Sequence, residues 1–117
     1  MLFHITEPTP WQTAQTEGTY RPASLATEGF IHLSEKAQVA WVANQFYQGQ
    51  SGLLLLEIVP DRLQADLRYD EVPDHGTFPH LYGPLNLDAV VQVWSLSAWL
   101  AKRPEPFRLS TLPNGEI

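Results

Sequence analysis

Two short segments carry one small pattern, His4-Ile5-Thr6 and His32-Leu33-Ser34. Side chains alternate between faces along an extended chain, so each histidine shares a face with the hydroxyl two residues on. Phe3 and Ile5, and likewise Ile31 and Leu33, then point the other way into a core. Imidazole both donates and accepts near neutral pH. If the two strands lie near each other, His4, Thr6, His32 and Ser34 line one polar cleft. A third group is Phe78-Pro79-His80-Leu81-Tyr82-Gly83-Pro84, where His80 and Tyr82 keep the parity of Phe78. Its prolines fix the backbone, and Gly83 permits close approach or a positive φ. Just upstream stands the acid pair Asp70-Glu71. A carboxylate of this pair facing a histidine cleft serves as a general base or stabilises a developing cation. Each feature also fits an ordinary role: a hydrogen-bonded strand histidine, a stiff loop capping a core, a solvated turn. The favouring point is two histidines at the same phase, each with a hydroxyl at +2.

These groups need strands to hold them. Leu2 to Thr6 reads as a first strand, and Thr9-Pro10 as a helix start with Gly18 as its stop. Ala23 to Glu28 is a short turn or helix closed by Gly29. Phe30 to Leu33 is a compact strand, after which Ser34 caps a helix over Glu35 to Tyr47. Val39, Val42, Ala43 and Phe46 at i, i+3, i+4 and i+7 form its apolar stripe. Leu53 to Val59 is a strand covered on both faces, because its apolar run is continuous. Leu67 to Glu71, Phe78 to Gly83 and Ala89 to Leu96 are further strands, with a polar turn over Val72 to Thr77. His75 sits in that turn and is expected in solvent. Trp11, Trp41, Trp94 and Trp99 are expected in the core. The order predicts an α+β fold with helices packed on a largely antiparallel sheet. Residues 1–101 form one globular unit in this reading, and 102–117, with Pro104, Pro106 and Pro113, an irregular tail.

Composition narrows the chemistry. The chain has 117 residues, and 13 acids against 7 bases give a net charge of −6, which argues against a nucleic-acid binder or an anionic membrane surface. Cysteine is absent, which removes disulfides, thiolate metal sites and a cysteine nucleophile. There is no phosphate loop of Walker or Rossmann spacing and no nucleophile-elbow serine. No histidine spacing supports a metal site, so no metal is expected. The start of the chain lacks a basic, apolar signal pattern, and the densest apolar run is far too short to span a bilayer. A cytoplasmic protein is the expectation. The histidine strands and the 78–85 segment hold no acid, so the reading is a neutral, aromatic, histidine-lined cleft inside an acidic exterior.

Gly29-Phe30-Ile31-His32-Leu33-Ser34 followed by Gln38, together with Phe78-Pro79-His80-Leu81-Tyr82-Gly83-Pro84-Leu85, resembles the two signatures of the bacterial domain-of-unknown-function family 952. Arg68-Tyr69-Asp70 resembles an Arg-aromatic-acid step before the second signature. The resemblance spans roughly residues 2 to 96. It implies the ADP-ribosyltransferase-like superfamily, with a split, curved sheet that binds NAD in a cleft. His4-Ile5-Thr6 resembles that superfamily's first motif, with Ile5 where glycine is usual. His32-Leu33-Ser34 and the helix after it resemble the second, in the manner of the RNA 2′-phosphotransferase branch. The third position is commonly a glutamate, for which Asp70 and Glu71 are the candidates. The resemblance implies that His4 bonds an NAD ribose hydroxyl, that His32 packs on the nicotinamide side, and that an acid stabilises the oxocarbenium-like state.

Three functions follow as expectations. One is an NAD-dependent ADP-ribosyltransferase-like enzyme acting on a small molecule or a protein side chain, with His4, His32, Asp70 and Glu71 catalytic and Thr6, Ser34, His80 and Tyr82 holding ligand. Another is a small-molecule or nucleotide binding module without turnover. The last is a two-histidine phosphoesterase, in which one imidazole is base and the other acid.

Overall fold

Runs of leucine, isoleucine and valine build the strands, and short proline- and glycine-marked connections keep the elements brief. The computed structural model describes residues 1–102. The strands are β1 (Leu2–Thr6), β2 (Thr19–Tyr20), β3 (Ile31–His32), β4 (Ser34–Glu35), β5 (Leu54–Ile58), β6 (Asp66–Val72), β7 (Gly76–Tyr82), β8 (Leu85–Asn86) and β9 (Val90–Ser95). The helices are α1 (Pro8–Glu17), α2 (Ala23–Thr27), α3 (Val39–Phe46) and α4 (Leu96–Leu100), with short 3-10 turns between. A four-stranded sheet runs β4-β1-β5-β9, a two-stranded one β2-β8, and a three-stranded one β3-β7-β6. Every ladder among the described residues is antiparallel. The fold is α+β, as expected. The irregular tail expected over 102–117 lies outside the described residues beyond Lys102.

The four-stranded sheet is buried on both faces. Leu2, Leu54, Leu56 and Ile58 pack toward α1 and the two smaller sheets, against Trp11, Tyr20, Ile31, Leu81 and Leu85. Phe3, Ile5 and Leu55 face α3 and α4, against Val39, Ala43 and Leu96. Full burial of such a side chain contributes roughly 1.5–3 kcal/mol. The even residues of β1 therefore face a second core layer, and His4 is only 8% exposed.

Some elements differ from the sequence reading. The first helix begins at Pro8 with Glu7 at its cap, not at Thr9-Pro10, because proline at the first helical position gives up an N–H that has no helical partner anyway. Ser34 does not cap a helix; it pairs with Phe3 in β4. A 3-10 turn over Lys36–Gln38 follows, with Glu35 and Gln38 bonding each other's backbone in a capping box, and α3 starts only at Val39. Half of the polar segment 72–77 is strand. Pairing runs to Val72↔Gly76, leaving only three residues to turn. Trp11 is buried, Trp94 and Trp99 are half-buried, and Trp41 lies 36% exposed rather than in the core.

The site is shaped at Leu33. There the chain leaves the three-stranded sheet and enters the four-stranded one. The Leu33 N–H still bonds the Pro79 carbonyl at 3.0 Å. Pro79 sits in the central strand of its sheet, and its missing N–H falls on the β3 side, where the two-residue strand has ended. β1 pairs with β4 at Phe3↔Ser34 and with nothing in β3, so the two sheets part beside His4 and His32.

Candidate functional site

His4 spans the parting between the sheets. Its Nδ1 lies 2.7 Å from the His32 carbonyl oxygen, and its Nε2 lies 2.8 Å from the Tyr20 hydroxyl. A carbonyl only accepts, so Nδ1 carries the proton. Burial pushes the His4 imidazole down to about 4, leaving it neutral at ordinary pH, and Nε2 then accepts from Tyr20. Burial also pushes the Tyr20 phenol up to about 12, so it stays a donor. The Tyr20 oxygen also lies 3.0 Å from Thr6 Oγ1, and the Thr6 hydroxyl donates to the Glu7 carbonyl at 3.2 Å. Thr6, Tyr20 and His4 thus form a buried chain that ends on the backbone of His32. Both His4 nitrogens are taken within the protein, and binding a ligand hydroxyl would require one to be released.

His80 is arranged differently. It stands on β7 opposite His32 on β3 and Arg68 on β6, so all three share one face of their sheet. Asp70, Phe78 and Tyr82 share that face by register. The His80 Nδ1–H donates to Asp70 Oδ2 at 2.8 Å, and the Tyr82 hydroxyl donates to the same oxygen. These two donors hold the Asp70 carboxyl below the usual carboxylate range, with Tyr82 the larger influence. In return the Asp70 carboxylate pushes the Tyr82 phenol up. Arg68 covers the Tyr82 ring at 4.6 Å and bonds Asp66 at 2.7 Å. Phe30 stacks on the His80 ring at 4.0 Å and 19°. Gly29, at φ 91°, turns the chain into Phe30, and Ser24 Oγ holds the Phe30 carbonyl at 2.8 Å. With Nδ1 committed and the ring 6% exposed, Nε2 has no partner among the described residues, and in the neutral ring it is an acceptor.

The other histidines are more open. His32 Nε2 pairs with Glu28 Oε1 at 3.1 Å, and both side chains are about half exposed. Its ring meets His80 edge-on at 5.4 Å. His75 is exposed, as expected from its turn, yet it packs against Trp41 at 4.9 Å.

These groups border a cleft of about 1050 Å³. His4, Thr6, Tyr20 and Ser34 form its inner side, while Trp41, Phe78, His80, Phe30 and His32 make an aromatic wall. His4, Thr6, His32, Ser34 and His80 therefore come together as expected. Tyr82 and Asp70 do not border the cleft; they stand behind His80 and orient it. Strand alternation separates the acid pair: Asp70 takes the face of His80, whereas Glu71 touches the cleft only at the hairpin end. The cleft is also not acid-free. Among the described residues, Glu7, Glu28 and Glu71 border it, with Arg21 as the single lysine or arginine. Burial, and then the Glu7 carboxylate, push the phenol of the nearby Tyr47 up. Glu7 and Glu28 enter from helix ends and Glu71 from the end of β6, none of them from the strands that carry histidine.

The sequence reading missed Tyr20, Phe30 and Trp41 as site residues. Tyr20 precedes Pro22 in an extended stretch and gives no local signal of its contact 16 residues back. Phe30 stood in the first motif and was available. Among the described residues, no group of three His, Asp or Glu is placed to hold a metal ion, and no helix is long and apolar enough to cross a membrane.

Comparison with solved structures places this arrangement among relatives. The chain is similar to protein CC0527 from Caulobacter crescentus in a crystal structure, with 31% identity, 79% of this chain and 82% of that chain covered, and a TM-score of 0.72. A crystal structure of a double mutant of CC0527 gives 30% identity, the same coverage and 0.72. Its solution NMR structure gives 31% identity, 79% and 80% coverage, and 0.68. Comparison with curated proteins finds no match. A family model described as "Protein of unknown function (DUF952)" matches residues 5–93, a span that begins just after His4 and holds His32, the Asp70–His80 hairpin and the rest of the cleft lining. Both quoted motifs thus fall inside one family match, and the chain belongs to the DUF952 family.

Proposed function

We propose that this protein binds a small molecule in the cleft between its sheets, and that His80 Nε2 takes a hydrogen bond or a proton from it. The observation that carries the reading is a buried imidazole whose Nδ1–H is fixed by Asp70 and whose Nε2 borders the cleft without a partner. A carboxylate on the far nitrogen sets the tautomer, aims the ring and stabilises the imidazolium if a proton arrives. The Ser34 hydroxyl adds a second unpartnered polar group among the described residues, 7% exposed and bordering the same space. Buried polar groups without partners are uncommon in folded proteins, and a ligand accounts for these two. The volume lies at the upper end of the roughly 300–1000 Å³ usual for small-molecule sites.

The dinucleotide and ADP-ribosyl transfer implied by the superfamily resemblance are the second reading. The size of the cleft and the flat Phe30–His80 stack favour it, since a nicotinamide ring needs such a surface. Against it, His4 has no free nitrogen, and three carboxylates face one guanidinium where a diphosphate would lie. Amide NMR during titration with nicotinamide and with NAD tests both. Saturable shifts around Phe30, His32 and His80 that vanish in His80→Ala are expected for nicotinamide. Tighter binding of NAD with shifts reaching His4 makes the second reading the better one. No shift at the cleft with either compound at tens of millimolar overturns both.

A further inference from the structure

The cleft combines features that select for charge. The aromatic wall includes Trp41 and Phe78, with ring centroids 5.8 Å apart, and Trp41 meets His75 at 4.9 Å. Aromatic faces are electron-rich and attract cations held over them. The rim carries Glu7, Glu28 and Glu71 against Arg21, and like charges around a low-dielectric concavity add their fields. Among the described residues, neither Glu7 nor Glu71 has an ion-pair partner, and the partner of Glu28 is a histidine. The third observation is independent of charge. In its neutral form the His80 ring, with Nδ1–H given to Asp70, offers Nε2 as an acceptor, and Ser34, more than nine-tenths buried, borders the same space with no side-chain hydrogen bond among the described residues. Such groups ask for hydrogen-bond donors from whatever enters.

We propose, building on the small-molecule reading above, that the ligand of this cleft is a small organic cation with N–H donors, a protonated amine or amidinium on an aromatic or apolar body. The ammonium or amidinium group has donors and no acceptor, which matches Nε2 and the serine oxygen. Its charge is met by the carboxylate rim, and its apolar body lies along Phe30, Phe78 and Trp41. An anionic ligand of the same size meets like charge at the rim and, at Nε2 of the neutral ring, finds an acceptor where it needs a donor.

Three probes of one shape separate these terms: benzylammonium, benzyl alcohol and benzoate. Amide and indole NMR shifts on the full chain give a dissociation constant for each. The expected result is saturable binding at Trp41, Phe78 and His80, with benzylammonium at least about fivefold tighter than benzoate. A Glu7→Gln, Glu28→Gln double variant changes only exposed side chains, and it should narrow that ratio by about threefold. Equal binding of the three probes at the cleft, or tighter benzoate, overturns the cation inference and leaves the cleft reading standing. No shift at the cleft with any probe overturns both. A cation preference unchanged in the double variant also overturns the inference, because the rim then does not set it.

Discussion

Four histidines of one chemical type have four fates here, decided by what each ring nitrogen meets. His4 is neutral and saturated, His32 is paired at the surface, His75 lies against an indole, and only His80 combines burial with an oriented, unpartnered nitrogen. The Asp70 carboxylate makes that difference. Replacing it by Asn gives the ring a partner that also donates and carries no charge, so the Nδ1–H tautomer loses its preference. Side-chain nitrogen NMR of His80 should show a single tautomer in the native protein and a mixture in Asp70→Asn, while the amide spectrum away from the β6–β7 hairpin stays in place. An unchanged tautomer would mean that Asp70 does not orient the ring. Loss of this contact should also weaken probe binding by about twofold to tenfold, the net worth of a typical hydrogen bond being about 0.5–1.5 kcal/mol.

Among the elements, the β6–β7 hairpin holds the acid, the imidazole and the phenol on one face through an unbroken register from Asp66↔Tyr82 to Val72↔Gly76. Gly83 ends it. A Cβ there would stand 2.7 Å from the Ala65 Cβ, and neither atom is the end of a flexible chain that can swing aside. Gly83→Ala should destabilise the fold by about 1–3 kcal/mol, the usual cost of overpacking, as read from the midpoint of urea denaturation. An unchanged midpoint would show that the strand end moves freely. The capping box at Glu35 and Gln38 works at the same scale. Gln38 bonds the Glu35 N–H at 2.9 Å and also donates to the Thr77 carbonyl at 2.8 Å, tying the start of α3 to the hairpin. That link places Trp41 beside Phe78 at the cleft.

Taken whole, the molecule is three sheets around one parting, and His4 is the polar bridge across it. Burial lowers its folded pKa to about 4 from an ordinary 6.5. Between those values the unfolded chain binds a proton that the native state refuses, so stability rises with pH across this window. The contribution is full above pH 6.5 and is lost as pH falls toward 4, a change of about 3 kcal/mol for a shift of this size. Urea midpoints measured from pH 4 to pH 8 should show that slope, and His4→Gln should flatten it. A slope that survives in His4→Gln would place the titration elsewhere. The net charge of −6 is set by the composition, but its effect is local: part of it gathers at the cleft and biases what can enter.

Local rules were enough for much of this. The alternation of β1, the both-sided burial of β5, the packed Val39, Val42 and Ala43 of α3 and the shared face of Phe78, His80 and Tyr82 follow from side-chain periodicity, which neighbours along the chain enforce. Phe46 of the same expected stripe is instead 63% exposed at the helix end. The same rules put His4 with Thr6, whereas Ser34 opposes Phe3 and borders the cleft because the two sheets part beside it. Those rules did not tell His4 from His80. That distinction rests on Tyr20, 16 residues from His4, and on Asp70, ten residues from His80 across a hairpin. A second core layer over β1 made His4 a buried bridge, and β6 supplied the carboxylate for His80. Which histidine keeps a free nitrogen, and which acids stand at the rim, depends on contacts between segments far apart in the chain. Periodicity assigns a side chain to a face, but only the packed structure decides what that face meets.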